Sequence, residues 1–172
     1  MEFSDILRVP KDRVAVLIGK KGETRNLLCS RLKVRIFIDS IEAEVKIVSD
    51  DSLNLMIAKA VVKAVGRGFN PEIALKLVDE RYAFDIIDMT FFTKSKSRLL
   101  TIKARIIGQE GKSRKNISRI TGTDIVIYGK TVGVIGPVEN VATAKRAIDA
   151  LLSGRKHATV YHWLEDKQRS PR

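Results

Sequence analysis

Ile18-Gly19-Lys20-Lys21-Gly22 returns 89 residues later as Ile107-Gly108-Gln109-Glu110-Gly111. Each copy ends an apolar, basic run with helical spacing and opens a second such run. A lone Gly-x-x-Gly is an ordinary turn. Two in matching contexts signal a duplicated module, built around a backbone that something approaches closely. The chain carries a net charge of +12 over 172 residues, so the expected visitor is a nucleic-acid phosphate.

The flanks of the first copy alternate between the two periodicities. Phe3 to Val9 reads as a strand ended by Pro10, and Val14, Ala15, Leu17 and Ile18 then follow helical spacing. Glu23 to Leu32 resumes as a helix with Leu27, Leu28 and Leu32 on one face, and Glu23 suits the positive end of its dipole. Val34, Ile36 and Ile38 alternate with polar residues, and so does Ala43 to Val48; the pair predicts a hairpin. Asp50 or Asp51 is placed to cap a helix reaching about Val65, with Leu53, Met56, Ile57, Ala60 and Ala64 as its buried stripe and Gly66 and Gly68 as its stop.

The second copy repeats this order. Ala83 to Met89 is a strand, Ser97 to Ile106 a helix, Lys112 to Thr121 a helix ended by Gly122. Thr123 to Tyr128 and Thr131 to Ile135 are strands around Gly129-Lys130, Gly136-Pro137 is a break, and Val138 to Leu152 is the closing helix. Between the copies, Pro71 to about Asp79 predicts a helix too apolar for a free linker, expected to dock the two halves. The boundaries are therefore a first module at 1–67, a helical connector at 68–82, a second module at 83–154 and an extension at 155–172. In that extension Val160, Tyr161, Trp163 and Leu164 form an apolar cluster ahead of a polar, frayed tail. Tyr161 and Trp163 read as packing; stacking on a base is the sharper alternative.

Composition narrows the function classes. A hydrophobic share of 44% supports packed cores and excludes global disorder. The chain has no apolar run long enough to span a bilayer. Its start lacks the basic and apolar regions of a secretory signal, and its single cysteine, Cys29, forms no internal disulfide. A cytoplasmic protein is expected.

The order strand, helix, Gly-x-x-Gly, helix, strand, strand, helix resembles the type I KH module over about residues 3–66 and again over 83–154. That resemblance implies an α+β fold of two tandem modules, each a three-stranded antiparallel sheet packed on three helices. It also implies a clamp on about four nucleotides of single-stranded nucleic acid. Two further stretches, Gly66-Arg67-Gly68-Phe69-Asn70-Pro71-Glu72-Ile73-Ala74-Leu75 and His157-Ala158-Thr159-Val160-Tyr161-His162-Trp163-Leu164-Glu165, lie outside the generic elements. They resemble the archaeal relatives of the eukaryotic small-subunit assembly factor known as the partner of the Nob endonuclease. That family resemblance implies binding near the 3′ end of small-subunit ribosomal RNA during its maturation. The partners it implies are single-stranded ribosomal RNA, a subunit of translation initiation factor 2 and an rRNA-processing endonuclease. The chain departs from the family at Gln109, where a basic residue is usual, and it keeps a first Gly-x-x-Gly that eukaryotic relatives tend to lose.

The chemistry of the candidate residues fits such a clamp. Gly19 and Gly22, like Gly108 and Gly111, remove Cβ atoms that would hold a sugar-phosphate chain away. The helix after each loop offers unpaired N–H groups and the positive end of its dipole. Lys20 and Lys21 add two charges, whereas the second loop has Gln109 and the acidic Glu110. Lys112 and Lys115 offset that poorer loop, and Arg25 and Arg114 are spaced to pair a phosphate bidentately. Ile18, Leu28 and Ile36, with Ile107, Ile117 and Ile125 as counterparts, are the expected apolar floor. Aromatics make up 6% of the chain, too few for a platform of stacked rings. Lys94, Lys96, Arg98, Lys103 and Arg105 read as a second basic stripe.

Catalysis is not expected. His157 and His162 lack the spacing of a zinc helix, no P-loop is present, and Cys29 has no evident base. Asp79, Glu80, Asp85 and Asp88 could hold magnesium in a nuclease, but as a solvated cluster they need no function. No cofactor is expected. The alternatives are a general RNA-binding adaptor and a protein-interaction scaffold for an acidic partner.

Overall fold

Period-two alternation near each loop becomes a strand, and the longer apolar runs become helices. The computed structural model describes residues 1–170, which divide into a unit of Met1–Glu80 and a unit beginning at Arg81. In the first, β1 (Phe3–Arg8), β2 (Arg35–Asp39) and β3 (Glu44–Ser49) form an antiparallel sheet in the order β1-β3-β2. Ile36 lies opposite Ile47, and Leu7 and Ile38 both lie opposite Val45, so one face of the sheet is apolar. Three helices cover that face: α1 (Lys11–Ile18), α2 (Glu23–Leu32) and α3 (Ser52–Gly66). Leu17, Leu28, Val45, Ile47, Val61 and Val62 are at the centre of the core. The hairpin turn is tied by Asp39, whose carboxylate accepts from the N–H groups of Ile41 and Glu42 at 2.9 and 3.0 Å.

Asp51 is the cap of α3, accepting from the N–H groups of Leu53 at 2.7 Å and Asn54 at 3.1 Å. The expected stripe of α3 is corrected. Leu53 and Met56 are 56% and 61% exposed, and the buried residues are Ala58, Val61, Val62, Ala64 and Val65. Gly66 does not stop the helix but is its buried last residue, facing Val9. Pro71–Ala74 then forms the short helix α4, capped by Asn70 and followed by a 3-10 turn at Leu75–Val78. This segment packs on α3 of the first unit, burying Phe69, Ala74 and Leu75.

The second unit repeats the plan. β4 (Tyr82–Asp88), β5 (Asp124–Tyr128) and β6 (Thr131–Pro137) are ordered β4-β6-β5, again antiparallel. The helices α5 (Lys96–Ile107), α6 (Lys112–Thr121) and α7 (Val138–Leu152) back the sheet. Gly136-Pro137 is no break: both residues end β6, paired with Ala83 and Tyr82. Gly136 is there for close approach, since a Cβ on it would lie 2.8 Å from Cγ2 of Thr123.

The C-terminal extension is ordered through Arg169 as α8 (His157–Arg169), correcting the expectation of a frayed tail; its last two residues lie outside the described residues. α8 packs on α6 and α7, and its Val160 and Leu164 complete the second core. Tyr161 and Trp163 are half-buried against the same core, as the packing reading expects. Arg105 holds the corner before α8: its guanidinium donates to the carbonyl of Arg155 at 2.5 Å and to that of Leu151, in the last turn of α7, at 3.4 Å. We expect Leu164→Ala to destabilise the second unit by about 3 kcal/mol. Met56→Ala, on the exposed side of α3, is expected to change stability by less than about 0.5 kcal/mol. Urea denaturation of both variants measures the contrast.

Candidate nucleic-acid interface

Both loops have the same backbone. The first glycines, Gly19 and Gly108, have φ/ψ of 73/175° and 75/171°. The third positions, Lys21 and Glu110, are left-handed at φ 55°, ψ 26° in each copy. The second glycines, Gly22 and Gly111, follow at φ 77° and 74°. A left-handed conformation is costly for a residue with a Cβ, so two such residues in register mark one turn used twice.

The two glycines of a loop serve different ends. A Cβ on Gly19 would collide with the Thr24 side chain and come within 2.8 Å of its backbone nitrogen. On Gly108 it would meet the backbone nitrogen and Cβ of Ser113, each at 2.6 Å. The first glycine therefore lets the end of one helix pack on the start of the next. The second glycine is different: around Gly22 a Cβ would meet nothing within 4 Å, and at Gly111 only Cε of Lys115 at 3.7 Å. It keeps the turn left-handed and leaves its outer face open. Thr24 and Ser113 were not among the expected site residues. Their signal was present in the sequence, as a small hydroxyl residue two positions past the second glycine in both copies.

Charge distinguishes the loops. Lys20 and Lys21 are exposed on the first, and Gln109 and Glu110 on the second. No side chain caps α2 or α6, whose first turns start at Gly22 and Gly111. Lys112 and Lys115 are exposed beside the second loop. The paired arginines are more structural than their spacing predicts. Arg25 donates to the carbonyl of Ile36 and Arg114 to that of Ile125, each at 3.4 Å, so both guanidiniums tie the loop-bearing helix to the neighbouring strand.

The apolar floor divides in the same way in both units. Ile18 and Ile107, at the loop entrance, are half-buried. Leu28, Ile36, Ile117 and Ile125 are core residues, each less than 4% exposed. Ile38 and Ile127, one step further along each strand, are half-buried and extend the accessible part of the floor. The basic stripe is not continuous: Lys94, Lys96 and Arg98 are exposed, whereas Arg105 is turned to the corner before α8. The acidic residues are engaged separately. Asp85 pairs with Lys145 at 3.0 Å. Asp88 accepts from the hydroxyl and the N–H of Thr90, which holds its carboxyl below the ordinary carboxylate value. Among the described residues, no three His, Cys, Asp or Glu side chains gather as a metal site, and no helix is long and apolar enough to cross a membrane.

We expect Gly108→Ala to destabilise the second unit by about 2 kcal/mol or more, because backbone must move. Gly111→Ala meets open space and is expected to cost only about 1–2 kcal/mol of left-handed strain. Thermal unfolding of the two variants separates the roles.

Comparison with known proteins places this geometry. Residues 83–169 match the family model described as the eukaryotic-type KH-domain (KH-domain type I), and residues 4–64 match the KH domain model. The KH domain-containing protein MJ0443 of Methanocaldococcus jannaschii is 44% identical over 165 residues, 94% of this chain and 72% of that protein. The pre-rRNA-processing protein PNO1 of Chaetomium thermophilum is 31% identical over 142 residues; the match takes in 78% of this chain but 54% of that protein. Among solved structures, the a/eIF2alpha-aDim2p-rRNA complex of Pyrococcus horikoshii contains a chain that is 39% identical, with a TM-score of 0.92 over 98% of this chain and 96% of that one. Dim2p of the same organism, solved separately, is 40% identical with a TM-score of 0.88, over 95% of this chain and 99% of that one. With two type I KH units, the glycine loops in both and relatives that match along nearly its whole length, the chain belongs to the PNO1/Dim2p family of tandem KH proteins.

Proposed function

We propose that this protein binds single-stranded ribosomal RNA through its Gly-x-x-Gly loops and acts in small-subunit rRNA maturation, near the 3′ end of 16S rRNA. The observation that carries the reading is the open left-handed turn present twice, with free space at each second glycine. A sugar-phosphate chain can approach that backbone to hydrogen-bonding distance, facing the uncapped start of a helix. The Pyrococcus horikoshii relative solved with rRNA and a/eIF2alpha supports the same ligand. It also supports an initiation factor 2 subunit as a protein partner.

The mechanism is occupancy rather than chemistry. Bound RNA is held single-stranded, so a separate endonuclease meets its cleavage site only when the protein allows it. Two linked modules raise the effective concentration of RNA at each other's groove, which offsets the modest affinity of a groove floored by isoleucines. A cytoplasmic site of action goes with this reading. Of the two loops, the first is assigned the stronger phosphate contact, because it carries Lys20 and Lys21 where the second carries Gln109 and Glu110.

Filter binding to an oligomer from the 3′ end of 16S rRNA tests the assignment. With three or more phosphates neutralised, affinity is expected to fall by about tenfold or more between 50 and 200 mM salt. Lys20→Asp with Lys21→Asp is expected to weaken binding more than Gln109→Asp. Absence of binding at either salt rejects the function, and a larger effect at Gln109 reverses the ranking of the loops.

A further inference from the structure

The two units differ at the far end of the helix that leads to the loop. In the first, β1 reaches α1 through Val9-Pro10 alone. In the second, β4 and α5 are joined by a longer insertion, Met89–Ser95. α5 has 12 residues, so the insertion lies about 18 Å from the Gly108 loop. The N–H of Met89 donates to the carbonyl of Lys130 at 2.9 Å, which ties the insertion to the turn between β5 and β6. β5 carries the floor residues Ile125 and Ile127, so the insertion stands where the groove runs out past that strand.

The insertion is a built segment that holds one ring in water. Met89 is fully buried and Phe92 packs on the second core. Asp88 accepts from the hydroxyl and the N–H of Thr90, and the Thr93 hydroxyl accepts from the N–H of Ser95 at 3.1 Å. Between these anchors Phe91 is 86% exposed. Among the described residues Phe37 is the only other exposed aromatic, at 53%. The surroundings of Phe91 are cationic. No acidic residue occurs between Asp88 and Glu110, and Lys94, Lys96 and Arg98 are exposed. Lys130 is exposed on the adjoining turn, where the first unit has Glu42. The Thr90 hydrogen bonds hold the Asp88 carboxyl below its ordinary value, and the charges of Lys94 and Lys130 add to that, so the two lysines flank one point. Among the described residues none of these four cations is in an ion pair. One carboxylate against four cations leaves the patch positive. An exposed ring set among unpaired cations matches a single-stranded nucleic acid, which brings a flat base and a phosphate with every nucleotide.

We propose that the Met89–Ser95 insertion is a stacking site for RNA beyond the nucleotides clamped at the glycine loop, with one base on the Phe91 ring and the flanking phosphates on Lys94 and Lys130. The inference rests on the RNA-binding reading above. It calls for one ring rather than a platform of them, and it gives the second unit at its far end the positive charge that its loop lacks. An RNA strand that follows β5 to its end meets Lys130 and then, across the hydrogen bond to Met89, the insertion.

The test compares two fluorescently labelled single-stranded RNAs, a four-nucleotide and a twelve-nucleotide oligomer from the 3′ end of 16S rRNA, bound to the full chain and followed by anisotropy. Phe91→Ala removes an exposed ring, so its thermal midpoint is expected to stay level. Its affinity for the dodecamer is expected to drop by about tenfold, as for one lost base stack, with the tetramer unchanged, and Phe91→Tyr is expected to restore it. Lys94→Ala with Lys130→Ala is expected to make the salt dependence of dodecamer binding shallower by about 1.4 in log-log slope, at about 0.7 for each phosphate contact. If the native protein binds the dodecamer and Phe91→Ala binds it equally well, the insertion is not a stacking site, while the RNA-binding reading stands. If a polyglutamate peptide binds the native protein more tightly than the dodecamer does and loses that affinity in Phe91→Ala, the occupant is an acidic protein segment and the proposal fails. If the native protein binds neither oligomer, both readings fall together.

Discussion

The contact between a loop glycine and the second residue of the following helix determines the rest of each unit. Gly19 against Thr24, and Gly108 against Ser113, bring two helices together with no room for a Cβ between them. The left-handed residues that follow, Lys21 and Gly22 in one unit and Glu110 and Gly111 in the other, make the turn. Once the turn is made, α2 and α6 lie over their sheets, and Arg25 and Arg114 fasten each helix to the adjacent strand through a backbone carbonyl. The open second glycine then faces outward without further adjustment. Core packing and ligand access are thus set by two glycines three residues apart, and exchanging their roles would satisfy neither.

Much of this was legible in the sequence because local signals agreed. Strict alternation located β2 and β5, and glycines mark the start of α2 and both ends of α6. The errors have physical causes. In α3 apolar residues occur almost all round the helix, from Leu53 to Val65, so periodicity offers several stripes and only the sheet decides among them. The sheet selects the small and β-branched side, Ala58, Val61, Val62 and Val65, because the helix lies close to it. Gly136-Pro137 has the composition of a turn, yet Pro137 is at a strand end where its missing N–H is harmless, and Gly136 is required by Thr123.

The site was legible to a lesser extent. Glycine spacing located both loops, and lysine placement ranked their charge. What could not be read is which apolar residues remain accessible after packing. Ile18 and Ile36 are equivalent letters in a sequence, but one is half-buried at a helix end, and the other is 2% exposed on the core face of β2. The arginines show the same effect for polar groups. Their spacing suits a phosphate, and the fold points each at the carbonyl of a strand residue, Ile36 or Ile125.

The coincidence of backbone in the two loops has a consequence for how such a protein diverges. Lys21 and Glu110 occupy one left-handed position with the same angles and opposite charge. The turn is indifferent to the side chain it displays there, because its geometry is fixed by the glycines on either side. A single substitution at that position can therefore invert the local field of a module without disturbing its fold, and two copies in one chain can be tuned to different ligands independently. Duplication here supplies two sockets of one shape whose polarity is free to drift.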